Sequence, residues 1–372
     1  MNFAFSEDQE SLRDQVRRFF ADRCPPEAVR RIFEGEDAFD RSLYGEMAGM
    51  GLLGAAIPED YGGSGMGPLE LCVIAEEAGR VLAPVPLLSS IYLAAELLMN
   101  AGTDAQKSSW LARLASGEAI ATFAHAERAG PVIANTISAS ISDGKLNGAK
   151  VPVAHGATAN MAIVSAREGE QVSLWLVDLH DPTVKRETLA NLDPTAPQAR
   201  LHFENTPAEP LPNSGWMTIK HALDRAAVLL AFEQIGGADR ALESARDYAL
   251  ERMAFGRQIG SFQAIKHMLA DMYVAATLAR SNSYYGAWAL STGAEELPAA
   301  AATARVSATE AFLLCAKNNI QAHGGMGFTW EAENHLYYRR ANALALALGS
   351  QSVWEDRLIA NLRDSDRAKS AA

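Results

Sequence analysis

The sequence predicts an α+β protein in which helices and strands are kept apart along the chain. Up to Ala115 the apolar residues recur at helical spacing. From Gly117 the pattern breaks into short β-branched or alternating runs, and helical spacing returns near Met217. Strands do not alternate with helices, which argues against a doubly wound nucleotide-binding sheet. A chain of 372 residues has room for two or three domains. The expected division is a helical domain over 1–116, a β-domain over 117–215 and a second helical domain over 216–372.

Ser6, Glu7, Asp8 and Gln9 form a capping-box pattern, and Leu12, Val16, Phe19 and Phe20 supply the buried stripe of the first helix. A second helix is expected over 42–50, closed by Gly51 and Gly54. Gly62, Gly63, Gly65 and Gly67 give the next loop turns that most residues cannot make. Pro68 suits the first turn of a helix running to Gly79. Pro84 and Pro86 interrupt the chain, 87–100 reads as helical, and Thr103 caps a last helix to Ala115. In the middle region 120–124, 137–141, 161–165 and 172–177 read as strands, with 184–189 and 199–203 as further candidates. Asp143-Gly144 and Asn147-Gly148 read as turns between them.

The stretch 224–272 organises the rest. Ile235, Ala238, Leu242, Ala245 and Ala249 share one helical face, with Asp, Glu and Arg between them. Residues 226–231 are apolar on every face, so that end is expected to be buried all round. Glu233 is the carboxylate set into that end. Gly256 and Gly260 punctuate a turn, after which Phe262, Ile265, Leu269 and Met272 begin a second helix.

Hydrophobic residues make up 48% of the chain and charged ones 21%, an ordinary globular balance. The net charge of −12 argues against a nucleic-acid surface. Cys24, Cys72 and Cys315 match no metal or redox spacing and are expected to be reduced thiols in a cytoplasmic protein. No metal site, cleavable leader or membrane span is expected.

Arg252-x-x-Phe255-Gly256, with Ile259, Phe262, Gln263 and the run Leu269-Ala270-Asp271-Met272, resembles the acyl-CoA dehydrogenase family. The resemblance recurs in the family's order: in 55–65, in Gly102 through Gln106, Trp110 and Leu111 to Gly117 and Glu118, and in Gln321-Ala-His-Gly324-Gly325-Met-Gly327. It implies an N-terminal helical domain, a small central β-barrel or sandwich, and a C-terminal four-helix bundle. It implies FAD, held between the β-domain and the last helical domain. The implied reaction takes an acyl-CoA to a trans-2-enoyl-CoA and passes electrons to an electron-transfer flavoprotein. It further implies fatty acid or steroid degradation, and a tetramer, homomeric or heteromeric with a related chain.

Carried over residue by residue, the resemblance gives the nucleotide end of FAD to Arg252, Phe255, Gln263, Gln321, Gly324 and Gly325. The chemistry suits: a guanidinium fork pairs two phosphate oxygens, and paired glycines let an anion approach backbone N–H groups. At the ring end the family's Thr-Glu-Pro is Ala126-Glu127-Arg128 here, and its Trp-Ile-Thr is Pro152-Val153-Ala154. Both hydroxyls are missing, which leaves the backbone at Ala126 and Ala154. His125 and His155 are read as solvated loop residues. Ser350 matches the hydroxyl of the family's late Glu-Gly-Thr motif and is a minor cofactor contact.

In that motif Leu348 replaces the glutamate base, and the family's alternative base position falls at Ala226. Glu233 lies seven residues beyond Ala226, two turns along nearly the same face. Gly236 and Gly237 on that face are expected to leave room, and burial there would make the carboxylate a stronger base. Glu233 is therefore the candidate catalytic residue, weighed against a structural ion pair with Arg225, Arg240 or a partner subunit. Two rivals stand beside a self-sufficient dehydrogenase: a non-catalytic or half-site partner subunit, and a flavin oxidase or monooxygenase on the same fold.

Overall fold

The structure is a computed structural model that describes residues 5–35 and 37–371, with side chains through Asp364. Helices α1 (Glu7–Arg23), α2 (Pro26–Glu34), α3 (Arg41–Gly49), α4 (Pro68–Arg80), α5 (Glu96–Ala101) and α6 (Asp104–Ala115) come first. Strands β1 (Ala121–Ala124), β2 (Ser140–Ser142), β3 (Lys145–Ala154), β4 (Met161–Glu168), β5 (Gln171–Asp178), β6 (Val184–Leu189), β7 (Gln198–Pro207) and β8 (Glu209–Pro210) follow. Then come α7 (Trp216–Glu251), the hairpin strands β9 (Met253–Ala254) and β10 (Arg257–Gln258), α8 (Gln263–Thr292), α9 (Leu297–His323), α10 (Asn334–Leu346) and α11 (Gln351–Ala371). Helical regions thus flank a central mixed sheet, as the sequence pattern predicts.

The capping signals act where they were read. Ser6 and Gln9 close a capping box on α1, and Thr103 and Gln106 close another on α6. Three local expectations need correction. Helix α2 was not anticipated, although Pro26 opens it in a position that proline favours. Residues Leu87–Ala95 form a π-helix before α5 instead of one regular helix. Asn147-Gly148 is not a turn. It lies inside β3, where the register against β7 shifts between Leu146 and Gly148. Gly148 sits at φ +133°, and a Cβ there would come within 2.9 Å of Ala139, so the glycine marks a bulge and a close backbone approach. Asp143-Gly144 does turn β2 into β3, with both residues at positive φ.

The chain divides into two compact units. One is drawn from Arg30–Leu71 and Pro84–Ala226 and carries the sheet. Its strands run β6-β7-β3-β2-β4-β5-β8, with β1 parallel to β4. Ser90, in the π-helix, accepts a hydrogen bond from Ala121 N and so ties that helix to β1.

The other unit is drawn from Met1–Val29, Cys72–Ala83 and Ala227–Ala372. Its core includes Ala231, Ile235, Ala279, Ala304, Ala308 and Ala311, small residues that let α7, α8 and α9 pack closely. The apolar run 226–231 is buried throughout, as expected. Further along α7, Ala241 is buried where Leu242 was expected, and Leu242 is half-buried. Arg13 and Arg17 fix α1 to α4 through Glu76 and Glu77. Arg80 reaches α7 through Glu243, and Arg280 on α8 bridges Glu76 and Asp239. The three cysteines are buried and free. Among the described residues no cluster of three or more His, Cys, Asp or Glu has the geometry of a metal site. No helix among them is long and apolar enough to cross a membrane.

Candidate active site

The predicted nucleotide-end residues gather at one end of the helical unit. The α7 helix ends at Glu251, and Arg252 follows directly, exposed and without an ion pair among the described residues. The backbone fixes Arg252 firmly: its N–H donates to Tyr248 O at 2.8 Å, and its carbonyl accepts from Ile259 N at 2.8 Å. Phe255 sits at the hairpin tip, 94% exposed and at φ +52°. It meets Phe262 edge-to-face, and Arg257 lies over the Phe262 ring at 4.1 Å. Gln263 opens α8 and is exposed.

The late glycine motif belongs to the same unit. Tyr248, one turn before Arg252, stacks on His323 at 4.1 Å and brings the end of α7 against the end of α9. Gln321 is exposed in the last turn of α9, and its carbonyl accepts from Gly324 N. Gly324 takes φ +59°, and a Cβ on Gly324 or Gly325 would meet nothing within 4 Å. An exposed arginine, two exposed amides and open glycine backbone fit the phosphate and ribose part of a dinucleotide. Ser350 lies beyond α10, half-buried, with Oγ 3.0 Å from Ser352 Oγ.

The ring-end residues lie in the sheet unit and are built differently. The Ala126 carbonyl accepts from Val151 N at 2.8 Å, and the Ala154 carbonyl accepts from Thr122 Oγ1 at 2.7 Å. The hydroxyl on this edge is therefore spent on the protein itself. Around it is a polar network that the sequence reading missed. Lys150 is fully buried and donates to Glu127 Oε1 at 2.7 Å, His125 O at 3.2 Å and Ser165 Oγ at 3.2 Å. Glu127 also accepts from Ser138 and from Ala139 N, which pins the 125–128 loop. Burial lowers the Lys150 pKa to about 8, with Glu127 acting against that fall.

His125 and His155 are not solvated loop residues. They are 9% and 6% exposed, held by Ser165 and Ser89 respectively. Each lies at or just beyond a strand end where a loop looks exposed in sequence but folds inward. Burial, with the Lys150 charge nearby, lowers the His125 pKa to about 3, so the ring is neutral at pH 7. Ser165 Oγ accepts from Lys150, and the nearest acceptor for its own proton is His125 Nδ1 at 2.9 Å. That leaves the proton on Nε2, a buried atom with no partner among the described residues, beside Phe123 and Trp216.

Glu233 faces inward. It is 8% exposed and pairs with Arg340 of α10 at 3.4 Å. The partners considered from sequence are engaged elsewhere, Arg225 with Glu96 and Arg240 with Glu243 at 3.8 Å. The room expected beside it is filled. A Cβ on Gly236 would collide with Glu76 O of α4, and one on Gly237 with the Phe312 ring. Gly79 of α4 in turn packs on the Glu233 backbone. These glycines serve close helix packing, not a substrate channel. Close by in charge terms is Arg305, fully buried, bonded to Gln234, Thr309 and the carbonyls of Leu344 and Ala347. Burial lowers its pKa to about 9, opposed by Glu233. Arg305 thus anchors the segment that ends in Leu348, which stands at φ +62° where the family has its glutamate. Arg340 and Arg305 carry no short-range sequence signal, because their contacts with α7 cross 107 and 71 residues.

The segregated fold and the exposed arginine–glycine arm define a flavin-type oxidoreductase scaffold. The comparisons narrow it. The model for the acyl-CoA dehydrogenase N-terminal domain matches residues 6–118, and that for the C-terminal domain matches 213–362. The chain belongs to the acyl-CoA dehydrogenase family, whose members are FAD-dependent oxidoreductases. It is 35% identical to acyl-CoA dehydrogenase IpdE2 of Mycobacterium tuberculosis over 94% of this chain and 98% of that protein. Among solved structures it is similar to the Tcur3481–Tcur3483 steroid dehydrogenase variant, with TM-score 0.88, 30% identity, and 97% and 99% of the two chains covered. It is also similar to the ChsE4–ChsE5 complex of M. tuberculosis, with TM-score 0.89, 28% identity, and 98% and 99% covered.

Proposed function

We propose that this chain works in the α,β-dehydrogenation of an acyl-CoA thioester to a trans-2-enoyl-CoA, as a half-site subunit paired with a related chain. When bound, FAD supplies the hydride acceptor for this chemistry. This chain contributes the nucleotide-end arm: Arg252 as the anion-pairing cation, Gln263 and Gln321 as amide partners, Phe255 at the tip, and Gly324 and Gly325 as open backbone. The ring-end backbone at Ala126 and Ala154 is held by the Lys150–Glu127 clamp, which orients it without a hydroxyl. Electrons leave to an electron-transfer flavoprotein.

One observation carries the half-site reading. Leu348 and Ala226 fill the two family base positions, and the remaining candidate, Glu233, is buried against Arg340. A proton abstracted from substrate needs a base within hydrogen-bond reach of it, and a carboxylate locked in a buried pair does not offer one. The two solved structures cited above, both named for two different chains, support the same assembly. A self-sufficient homotetramer is the second reading; it makes Glu233 the base and requires Arg340 to release it.

The test is Glu233→Gln in the assembled enzyme, read by anaerobic flavin bleaching with acyl-CoA thioesters. The half-site reading expects a rate within about twofold of wild type. A loss of about 100-fold or more, the size of a missing general base, would return the catalytic role to Glu233.

A further inference from the structure

A second cleft lies within the helical unit, formed by the end of α1, the end of α4, α7 and the start of α10. Its volume is about 300 Å³, at the small end of ligand-binding pockets. The floor is apolar: Phe20, Val29 and Leu336 line it, all buried. The back wall carries Leu82, a non-glycine residue held at φ +53°. Its carbonyl is fixed there by Arg340 at 3.3 Å. Backbone held in that region costs energy and tends to persist where the surroundings shape a site.

The polar lining is biased toward cations. Arg17, Arg80 and Arg240 face two carboxylates, Glu77 and Glu333. Arg17 grips Glu77 with two bonds of 2.9 and 2.7 Å, and Arg80 is closest to Glu243 at 2.6 Å. Arg240 differs. Its one carboxylate is Glu243 at 3.8 Å, and Glu243 already serves Arg80. It also donates to the Tyr337 hydroxyl, which passes its own proton to Arg80 O at 2.7 Å. Arg240 therefore reaches the cleft with donors left over, beside a phenol already oriented.

We propose that this cleft binds a small apolar monocarboxylate, with its apolar body on the Phe20–Leu336 floor and its carboxylate on Arg240. An arginine fork meets two carboxylate oxygens at once, while Glu333 across the mouth disfavours a second negative charge. The site is separate from the residues assigned above to FAD and is independent of the half-site reading.

The probe is octanoate, titrated calorimetrically into the enzyme as it assembles, with neutral octanamide alongside. Ala21, exposed at the mouth on α1, offers a blocking substitution that leaves the core intact. Wild type is expected to take up about one octanoate per chain, with octanamide weaker by about tenfold or more. Arg240→Gln should weaken octanoate about tenfold, the loss of one charge-assisted pair. Ala21→Trp should abolish uptake. Octanoate binding that survives Ala21→Trp lies elsewhere and overturns the proposal. So does equal affinity for octanoate and octanamide, unchanged affinity in Arg240→Gln, or no binding at millimolar octanoate.

Discussion

The Arg252–Gly324 region and the His125–Lys150 region carry much the same kind of polar chemistry and use it in opposite ways. In the first, an arginine and two amides stand exposed around open glycine backbone. In the second, a lysine, a glutamate, a histidine and a serine are folded under the surface and bonded to one another. Polar groups with no partner in water are inexpensive to keep and ready for a ligand. Polar groups buried together stabilise a backbone shape only while the set is complete. Substitutions in the first region should therefore cost binding, and those in the second should cost folding.

The largest effect is expected at Lys150. Lys150→Met strands the Glu127 carboxylate beside a buried methylene chain, and breaking a buried pair this way typically costs about 3–5 kcal/mol. Urea unfolding should show that loss, with the 125–128 loop exchanging amide protons faster than the rest of the sheet. A loss below about 1 kcal/mol would mean that the clamp is not structural.

Arg252→Gln should do the reverse. FAD retention by the assembled enzyme is expected to fall about ten- to hundredfold, the worth of one charge-assisted contact, while urea stability moves by no more than about 0.5 kcal/mol. A stability loss without a change in FAD affinity would erase the distinction between the two regions.

His125 gives a pH signature. Its folded pKa, near 3, lies below the ordinary value of 6.5, so the unfolded chain binds the extra proton between those values. Stability should fall as pH drops from about 6.5 toward 3, with this residue contributing up to roughly 1.4 kcal/mol per pH unit. His125→Gln should flatten that slope, as read from unfolding midpoints between pH 6.5 and 4.5. An unchanged slope would show that the ring is not held neutral. The smallest effect is expected for Gly324→Ala, about 1 kcal/mol of backbone cost at φ +59°, since the space around it is open.

Legibility in the sequence followed the same division. The exposed arm could be read because its residues lie close together in the chain and answer to a ligand's chemistry: Arg252, Phe255 and Gln263 sit on one hairpin and the helix it leads into. Helix starts with local caps, at Ser6 and Thr103, were readable for the same reason. Strand β3 was not, because Asn147-Gly148 carries a turn composition that the pairing with β7 overrides. The Glu233 environment was not readable either. Gly236 and Gly237 look like space in one dimension, and only the approach of α4 and Phe312 shows them filled. Burial of His125 and the closure of its network through Ser165, 40 residues away, are likewise tertiary facts.

The central claim is that this chain completes a cofactor site without carrying the base. The most direct test is to purify it alone with excess FAD, count flavin per chain, and add acyl-CoA thioesters anaerobically. The account predicts a folded protein with far less than one FAD per chain, and no bleaching until a related chain is supplied. About one FAD per chain, bleached by an acyl-CoA and no longer bleached in Glu233→Gln, would contradict it.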